Sequence, residues 1–322
     1  MGNISMKVIR GIKDIPEDLK GGVITIGNFD GIHRAHQAII SRVLQVAKKT
    51  GSNAIVMTFE PHPQQVLHPG RKPFFLITTL EEKLALLEEL GIDAVVLIEF
   101  SLEFSKTTAQ VFARDILCGA FQPTLILIGH DYTFGSGKEG KPDYLKNQGR
   151  VCGFDVEVMG AVEMEGGIVS STRVRNAILE GDVALASRLL GRPYTFKGHV
   201  VKGDRRGTDI GFPTANIEPE KILVPGRGVY AALVEMEGER YKAAINIGFN
   251  PTFTEEKRTT VETHILDFEG HLYGRKLLLS FIERIRDEKK FEGPGPLVEQ
   301  IKRDVERTRE ILEKNEDGKL RR

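Results

Sequence analysis

Only two cysteines, Cys118 and Cys152, occur in 322 residues. Their separation fits no metal knuckle and their number no secreted disulfide scaffold, so both are expected to be reduced packing residues. Neither sign of charge is in excess: 45 Lys and Arg face 45 Asp and Glu, for a formal net charge of zero. The global field of many nucleic-acid binders or polybasic membrane proteins is therefore missing, and a small-molecule partner is expected instead. No stretch approaches the ~18 apolar residues of a membrane span, and the N-terminal "MGNISMKVIRGIKDIPEDLK" lacks an apolar core of signal-peptide length. Serine at position 5 rather than 6 breaks the myristoylation pattern. These absences point to a cytoplasmic protein with no nucleic-acid or membrane partner. Low-complexity segments and repeats of about 20 to 50 residues are also lacking.

Two different periodicities divide the chain. From residue 22 to about 180, short Val/Ile/Leu-rich runs alternate with helical patterns. Strands are expected at 22–27, 54–59, 93–98, 124–129 and 154–159, and helices from about 36, 79–90, 107–118 and 171–180. That rhythm predicts a doubly wound α/β domain, a parallel sheet with helices on both faces. Thr78 and Glu81 have the spacing of a capping box at the start of the 79–90 helix. Beyond Pro193 the pattern becomes strands separated by glycine turns, at about 196–202, 228–236, 240–247, 260–268 and 276–285, with Glu237-Gly238 as a hairpin turn. A small antiparallel β-barrel is expected there. It is followed by a C-terminal helix whose stripe is Leu297, Ile301, Val305, Thr308 and Leu312. The boundary falls near 183–193, which gives domains of residues 1–186 and 187–322.

"GNFDGIHRAHQ", residues 27–37, sets two histidines at the mouth of a helix directly after the first strand. Zinc needs three or four protein ligands, and spacing suggests no further ligand for His33 and His36. Each histidine could also be an ordinary loop residue. The context of strand, Gly27, Gly31 and helix N-terminus favours phosphate, because the orphan amides and the positive dipole end attract anions. Imidazoles there can donate to a phosphoryl group as negative charge builds.

With these residues the chain resembles the HxGH nucleotidyltransferases, and among them the bacterial bifunctional riboflavin kinase/FAD synthetases. "GNFDGIHRAHQ", "TFEPHP" at 58–63, "LIGHDYTFGSGKEG" at 127–140 and "VSSTRVR" at 169–175 match the adenylyltransferase half. "GFPTANI" at 211–217, "GVYA" at 228–231, "NIGFNPTF" at 246–253 and "VETHILDFEGHLYG" at 261–274 match the kinase module. The resemblance covers nearly the whole chain in collinear order. It implies an N-terminal nucleotidyltransferase fold that adenylylates FMN to FAD and a C-terminal barrel that phosphorylates riboflavin to FMN, with ATP as co-substrate and Mg²⁺ as cofactor.

The resemblance also assigns residues. His33, His36, Asn28 and Arg175 would serve adenylyl transfer, and Glu262 would be the kinase general base. Gly27, Phe29, Asp30, Gly31, Ser170, Ser171, Thr172, Gly203 and Gly211 would contact nucleotide, and Phe59, Pro61, His62 and Asp131 the flavin. Thr214 and Asn216, two apart on an extended segment, would offer oxygens to Mg²⁺, a hard cation. Three positions depart from the family pattern: Ala35 stands where glycine is usual, Lys138 where arginine is usual in the flavin-side loop, and Thr208 where arginine usually follows Gly207.

Two motif matches are decoys. "GSGKEG" at 135–140 fits GxGxxG, but His130 to Phe134 separate it from its strand. Read as a Walker A loop, the same stretch has Pro142 where magnesium needs Ser or Thr. His264 and His271 are expected to be surface or packing residues. Three rival readings remain: a kinase whose N-terminal half only binds nucleotide or flavin, a flavin-responsive regulator without catalysis, and an adenylyltransferase acting on pantetheine phosphate or nicotinate mononucleotide. The last leaves the barrel unexplained.

Overall fold

The structure, a computed structural model, describes residues 5–13, 15–69, 74–202, 211–221, 223–250 and 258–320. Gly203 and Thr208 lie outside these residues. The chain divides into two compact units, Met1–Ser171 and Thr172–Arg322.

The first unit is a six-stranded parallel sheet. In sequence order its strands are β1 (Lys7–Arg10), β2 (Val23–Ile26), β3 (Ala54–Glu60), β4 (Ala94–Glu99), β5 (Leu125–Gly129) and β6 (Asp155–Met159). In space the order is β1-β4-β3-β2-β5-β6, every pair parallel. The central strands are apolar without alternation, because both faces are covered: β2 is buried at all four positions. Ile24, Ile26, Ile55 and Met57 meet Phe112, Ile116 and Phe121 on one face. Val23 and Val56 meet Ile40, Val43 and Leu87 on the other.

The helices of this unit are α1 (Arg34–Thr50), α2 (Pro63–Leu67), α3 (Leu80–Glu89), α4 (Ala109–Val111), which runs on as a π-helical segment Phe112–Phe121, and α5 (Pro142–Cys152). β1, α5 and the five-residue α2 escaped the sequence reading. β1 is a four-residue edge strand with little burial, and α5 buries only Leu145 and Gly149 of eleven residues, so neither carries a strong apolar period. The capping box lies one residue later than the spacing of Thr78 and Glu81 suggested: Thr79 Oγ1 accepts from Glu82 N and Glu82 Oε2 accepts from Thr79 N. Thr78 is engaged elsewhere.

The expectation of reduced cysteines is overturned. Cys118, in the π-helical segment, is joined to Cys152, the last residue of α5, with Cα atoms 5.7 Å apart. Spacing rules for knuckles and scaffolds do not register two helices packed side by side, which is what brings these residues within bridging reach.

The second unit begins with α6 (Ser171–Glu180, its first residue still in the first unit) and α7 (Val183–Leu190). A closed antiparallel barrel follows: β9 (Tyr194–Val201), β10 (Ala215–Pro219), β11 (Gly228–Met236), β12 (Glu239–Asn250), β13 (Arg258–Ile265) and β14 (Lys276–Arg286), in the order β10-β13-β12-β11-β14-β9. A short hairpin of β7 (Glu163–Met164) and β8 (Gly167–Ile168) precedes α6. The hairpin turn at Glu237-Gly238 is as expected: both residues have positive φ, 54° and 86°, which suits the strand twist. α6 and α7 pack within this unit. Gly226 N donates to Ile178 O, and Val183, Ala186, Leu189 and Leu190 are fully buried or nearly so. The C-terminal helix α8 (Pro294–Leu320) lays Ile311 and Leu312 on Ala231, with the Arg286 guanidinium clasping Asp304 at 2.7–3.0 Å.

Candidate active sites

In the first unit, β3 and β4 extend the sheet to one side of β2, and β5 and β6 to the other. The strand order therefore reverses between β2 and β5, and a parallel sheet opens a crevice beyond the C-terminal ends of its strands at such a point. Three predicted segments leave the sheet at these ends: Gly27–His36 after β2, Phe59–His62 at the end of β3, and Gly129–Lys138 after β5. A Cβ on Gly129 would come within 3.9 Å of Ile39 Cδ1 on α1, so the β5 exit and α1 are neighbours.

His33 is the N-cap of α1. It is buried, and its Nδ1 accepts from His36 N at 3.4 Å, which leaves the ring proton on Nε2. His36 stacks on His33 with ring centroids 3.7 Å apart and touches the Phe29 ring at 5.0 Å. His36 Nδ1 is buried and has no hydrogen-bond partner among the described residues. Burial, reinforced by His33 and the Lys83 ammonium, holds the His36 pKa well below the ordinary imidazole value. The helix mouth thus presents a neutral imidazole with an unused nitrogen beside a second ring that caps the helix.

Behind these rings the loop is heavily tied. Asn28 is exposed, but its carbonyl accepts from Lys83 Nζ at 2.9 Å and Thr58 Oγ1 at 3.2 Å. Asp30 is buried and its Oδ1 accepts from Ile77 N at 2.9 Å and Thr78 N at 3.2 Å, while Gly31 N donates to Thr78 Oγ1. Phe29 lies in the core. Phe29 and Asp30 therefore shape the loop from inside, whereas Asn28 is exposed on it. Gly31 has φ +83°, and a Cβ there would meet the Ile77 side chain at 3.0 Å, so both backbone and space favour glycine. Ala35 lies in the first turn of α1 without positive φ, so the backbone makes no demand for the family's glycine.

On the flavin side, Phe59 is edge-on to Phe100 at 5.9 Å and close to Phe104. His62 caps α2 through Nδ1, which accepts from Gln64 N at 3.1 Å, and its ring stacks on Phe74 at 4.5 Å. Pro61 and Asp131 are exposed. The loop after β5 is pinned to the start of α4: Ala109 N donates to Glu139 Oε1 at 2.8 Å and Ser136 N to Thr107 O at 2.8 Å. Tyr132 was not foreseen; its hydroxyl is buried with no partner among the described residues, and burial pushes its ionisation far up. Ser171 Oγ donates to Asp30 O at 2.9 Å, Ser170 precedes α6, and Thr172 and Arg175 lie in its first turns.

In the barrel, register does the assembling. Asn216 on β10 lies opposite Glu262 on β13, which lies opposite Asn246 on β12. These three alternate with buried neighbours, so they share one partly exposed face. Asn246 Nδ2 donates to Glu262 Oε2 at 3.5 Å. Thr214, exposed, ends the segment leading into β10, and Gly211 begins it with φ +83°. His264, expected to be a surface or packing residue, has a specific bond: Nδ1 donates to Pro213 O at 2.8 Å, with the ring against Phe212. Asn246 and His264 were visible only as letters within motifs, since their roles depend on which strand lies alongside.

A parallel α/β unit with a histidine-capped helix at its strand-order reversal, followed by a barrel that sets a carboxylate between two amides, defines a two-unit enzyme of phosphoryl and nucleotidyl transfer. The family model for FAD synthetase matches residues 15–173 and that for riboflavin kinase residues 190–312. The bifunctional riboflavin kinase/FMN adenylyltransferase of Escherichia coli K12 is 39% identical over 310 residues, 95% of this chain and 98% of that one. That of Listeria monocytogenes is 38% identical over 298 residues, 92% and 94% of the two chains. A Streptococcus pneumoniae crystal structure, named a macrolide-efflux protein, superposes with TM-score 0.85 at 36% identity over 95% of this chain and 99% of that one. The chain belongs to the bifunctional riboflavin kinase/FMN adenylyltransferase family.

Proposed function

We propose that the two units carry out consecutive steps of FAD formation with the residues described above. The observation that carries this reading is the pairing of two sites in one chain: stacked histidines at a helix mouth in the α/β unit, and Asn216, Glu262 and Asn246 on adjoining strands of the barrel.

In the barrel, the terminal ribityl hydroxyl of riboflavin attacks the γ-phosphorus of ATP. Glu262 takes the hydroxyl proton, and Asn246 holds one carboxylate oxygen so that the other faces the substrate. Thr214 and Asn216 form an all-oxygen donor set beside a carboxylate, which fits Mg²⁺ completed by phosphate oxygens and water. That ion, when bound, neutralises charge on the phosphates. The bond from γ-phosphorus to the bridging oxygen breaks, leaving FMN and ADP.

In the α/β unit, the FMN phosphate attacks the α-phosphorus of ATP and pyrophosphate leaves. The nucleophile is already anionic, so alignment and charge stabilisation suffice and no strong base is needed. His33 and His36 donate to the phosphates at the α1 N-terminus, and Asn28 orients them. Phe59, Pro61, His62 and Asp131 are the flavin-side candidates. Gly27 supports the loop; Ser170, Ser171, Thr172 and Arg175 are assigned to the triphosphate on motif resemblance alone, as are Gly203 and Gly211. ATP dependence favours a cytoplasmic setting.

The division of labour is placed at residues 1–186 and 187–322. A fragment starting at residue 187 lacks α6 and the buried Val183 and Ala186, so it should phosphorylate riboflavin yet be less stable than one starting at 172. Incubating the full chain with riboflavin, ATP and Mg²⁺ and separating the flavins tests the whole reading: FMN should form first and FAD after it. FMN without FAD would instead identify a kinase alone.

A further inference from the structure

We propose that Lys83 is a positioning residue for adenylyl transfer: from α3 it holds the Asn28 peptide and so the loop that fronts the site with His33 and His36. This rests on the assignment of those histidines to adenylyl transfer.

A lysine near the surface normally lays its stem on apolar atoms and keeps its ammonium in water. Lys83 is instead 4% exposed, with Nζ 2.9 Å from the Asn28 carbonyl. One neutral acceptor is meagre compensation for a buried charge. Burial accordingly draws the Lys83 pKa down, and the Asp30 and Glu60 carboxylates oppose this. The cost is tolerated at a loop that needs restraint. Phe29 and Ile32, neither of them glycine, have φ of 48° and 40°. Such backbone persists only where its surroundings over-determine it, and it concentrates at functional sites. The restraints come from one region: Lys83, Ile77 and Thr78 bind Asn28, Asp30 and Gly31. Thr58 adds a bond from β3 to the Asn28 carbonyl.

Lys83 also acts on His36. Among the described residues, the groups bearing on that imidazole are the His33 ring stacked on it, the Phe29 ring beside it and the Lys83 ammonium from α3; Asp30 and Glu60 bear on Lys83 in turn. Burial is the main cause that disfavours the imidazolium, and the Lys83 ammonium adds to it, so Lys83 helps keep His36 neutral. Removing the ammonium lets His36 take up a proton at higher pH.

Lys83→Met keeps the stem and removes donor and charge; Lys83→Gln keeps a donor without charge. Both are measured as full chains, per folded molecule, for FAD formation from FMN and for FMN formation from riboflavin. For Lys83→Met, kcat for FAD formation should fall by roughly 10²-fold, the scale of a small misplacement of reacting groups, with FMN formation unchanged. The acid inflection of the pH profile of FAD formation should move to higher pH in both variants. If the methionine variant does not fold, the glutamine variant carries the pH test. A parallel His36→Ala variant separates the two assignments. FAD formation lost in His36→Ala but intact in Lys83→Met, or an unmoved inflection in both Lys83 variants, overturns the role of Lys83 alone. Full FAD formation in His36→Ala overturns the histidine reading and this one with it.

Discussion

In the α/β unit the groups proposed to react follow a loop with strained backbone at Phe29 and Ile32, tied down from α3 and β3; in the barrel the proposed groups stand on three hydrogen-bonded strands, in register at Asn216, Glu262 and Asn246. A ladder places side chains by its own periodicity, so the barrel site needs little support beyond β-structure. A loop has no such ruler. Its geometry must come from side chains that never meet a substrate, which makes the first site sensitive to residues behind it and the second mainly to residues in it.

The sharpest way to break this comparison is Glu262→Gln. Loss of a general base typically costs ~10²–10⁴-fold in rate, so FMN formation should collapse while FAD formation from supplied FMN continues. Near-normal turnover of riboflavin removes the carboxylate from its role. On the other side, His33→Ala and His36→Ala should each slow FAD formation by about 10²–10³-fold, the cost of losing one donor to developing charge. Riboflavin phosphorylation in the same preparations should be untouched; a matching loss there would show that the units are not chemically independent.

A smaller effect is expected from the disulfide, which belongs to the α/β unit alone. Replacing Cys118 and Cys152 by serine should lower that unit's unfolding free energy by about 2–4 kcal/mol, read by chemical denaturation. The barrel transition should not move. Two transitions that shift together would contradict the separation. The smallest effect is assigned to Ala35→Gly. Since residue 35 is helical, glycine should cost ~0.5–1 kcal/mol of stability and leave the rate of FAD formation nearly unchanged. A large gain in rate would mean that the methyl obstructs the nucleotide.

Much of this was legible beforehand. Unbroken Val/Ile/Leu runs betray strands covered on both faces, and the glycine-punctuated strands after Pro193 betray a barrel. His33 and His36 drew notice by their place at a helix mouth, whereas Glu262 was singled out only through the family resemblance. Thr78 did not: as a capping residue it looked complete, and its bond to Gly31 spans 47 positions. Lys83 carried no local signal among the charged residues of α3, and α5 had too few apolar positions to register.

The sequence by itself determined most of the longer strands and helices, the two-part organisation and the family, since periodicity, turn chemistry and contiguous motifs act over a few residues. Tertiary structure alone decided that Cys118 meets Cys152, that Asp30 turns inward, that Asn246 holds Glu262, and that a lysine from α3 grips the histidine loop. Each depends on which segments pack together, and close packing of distant segments leaves no period in the chain for a reader to find.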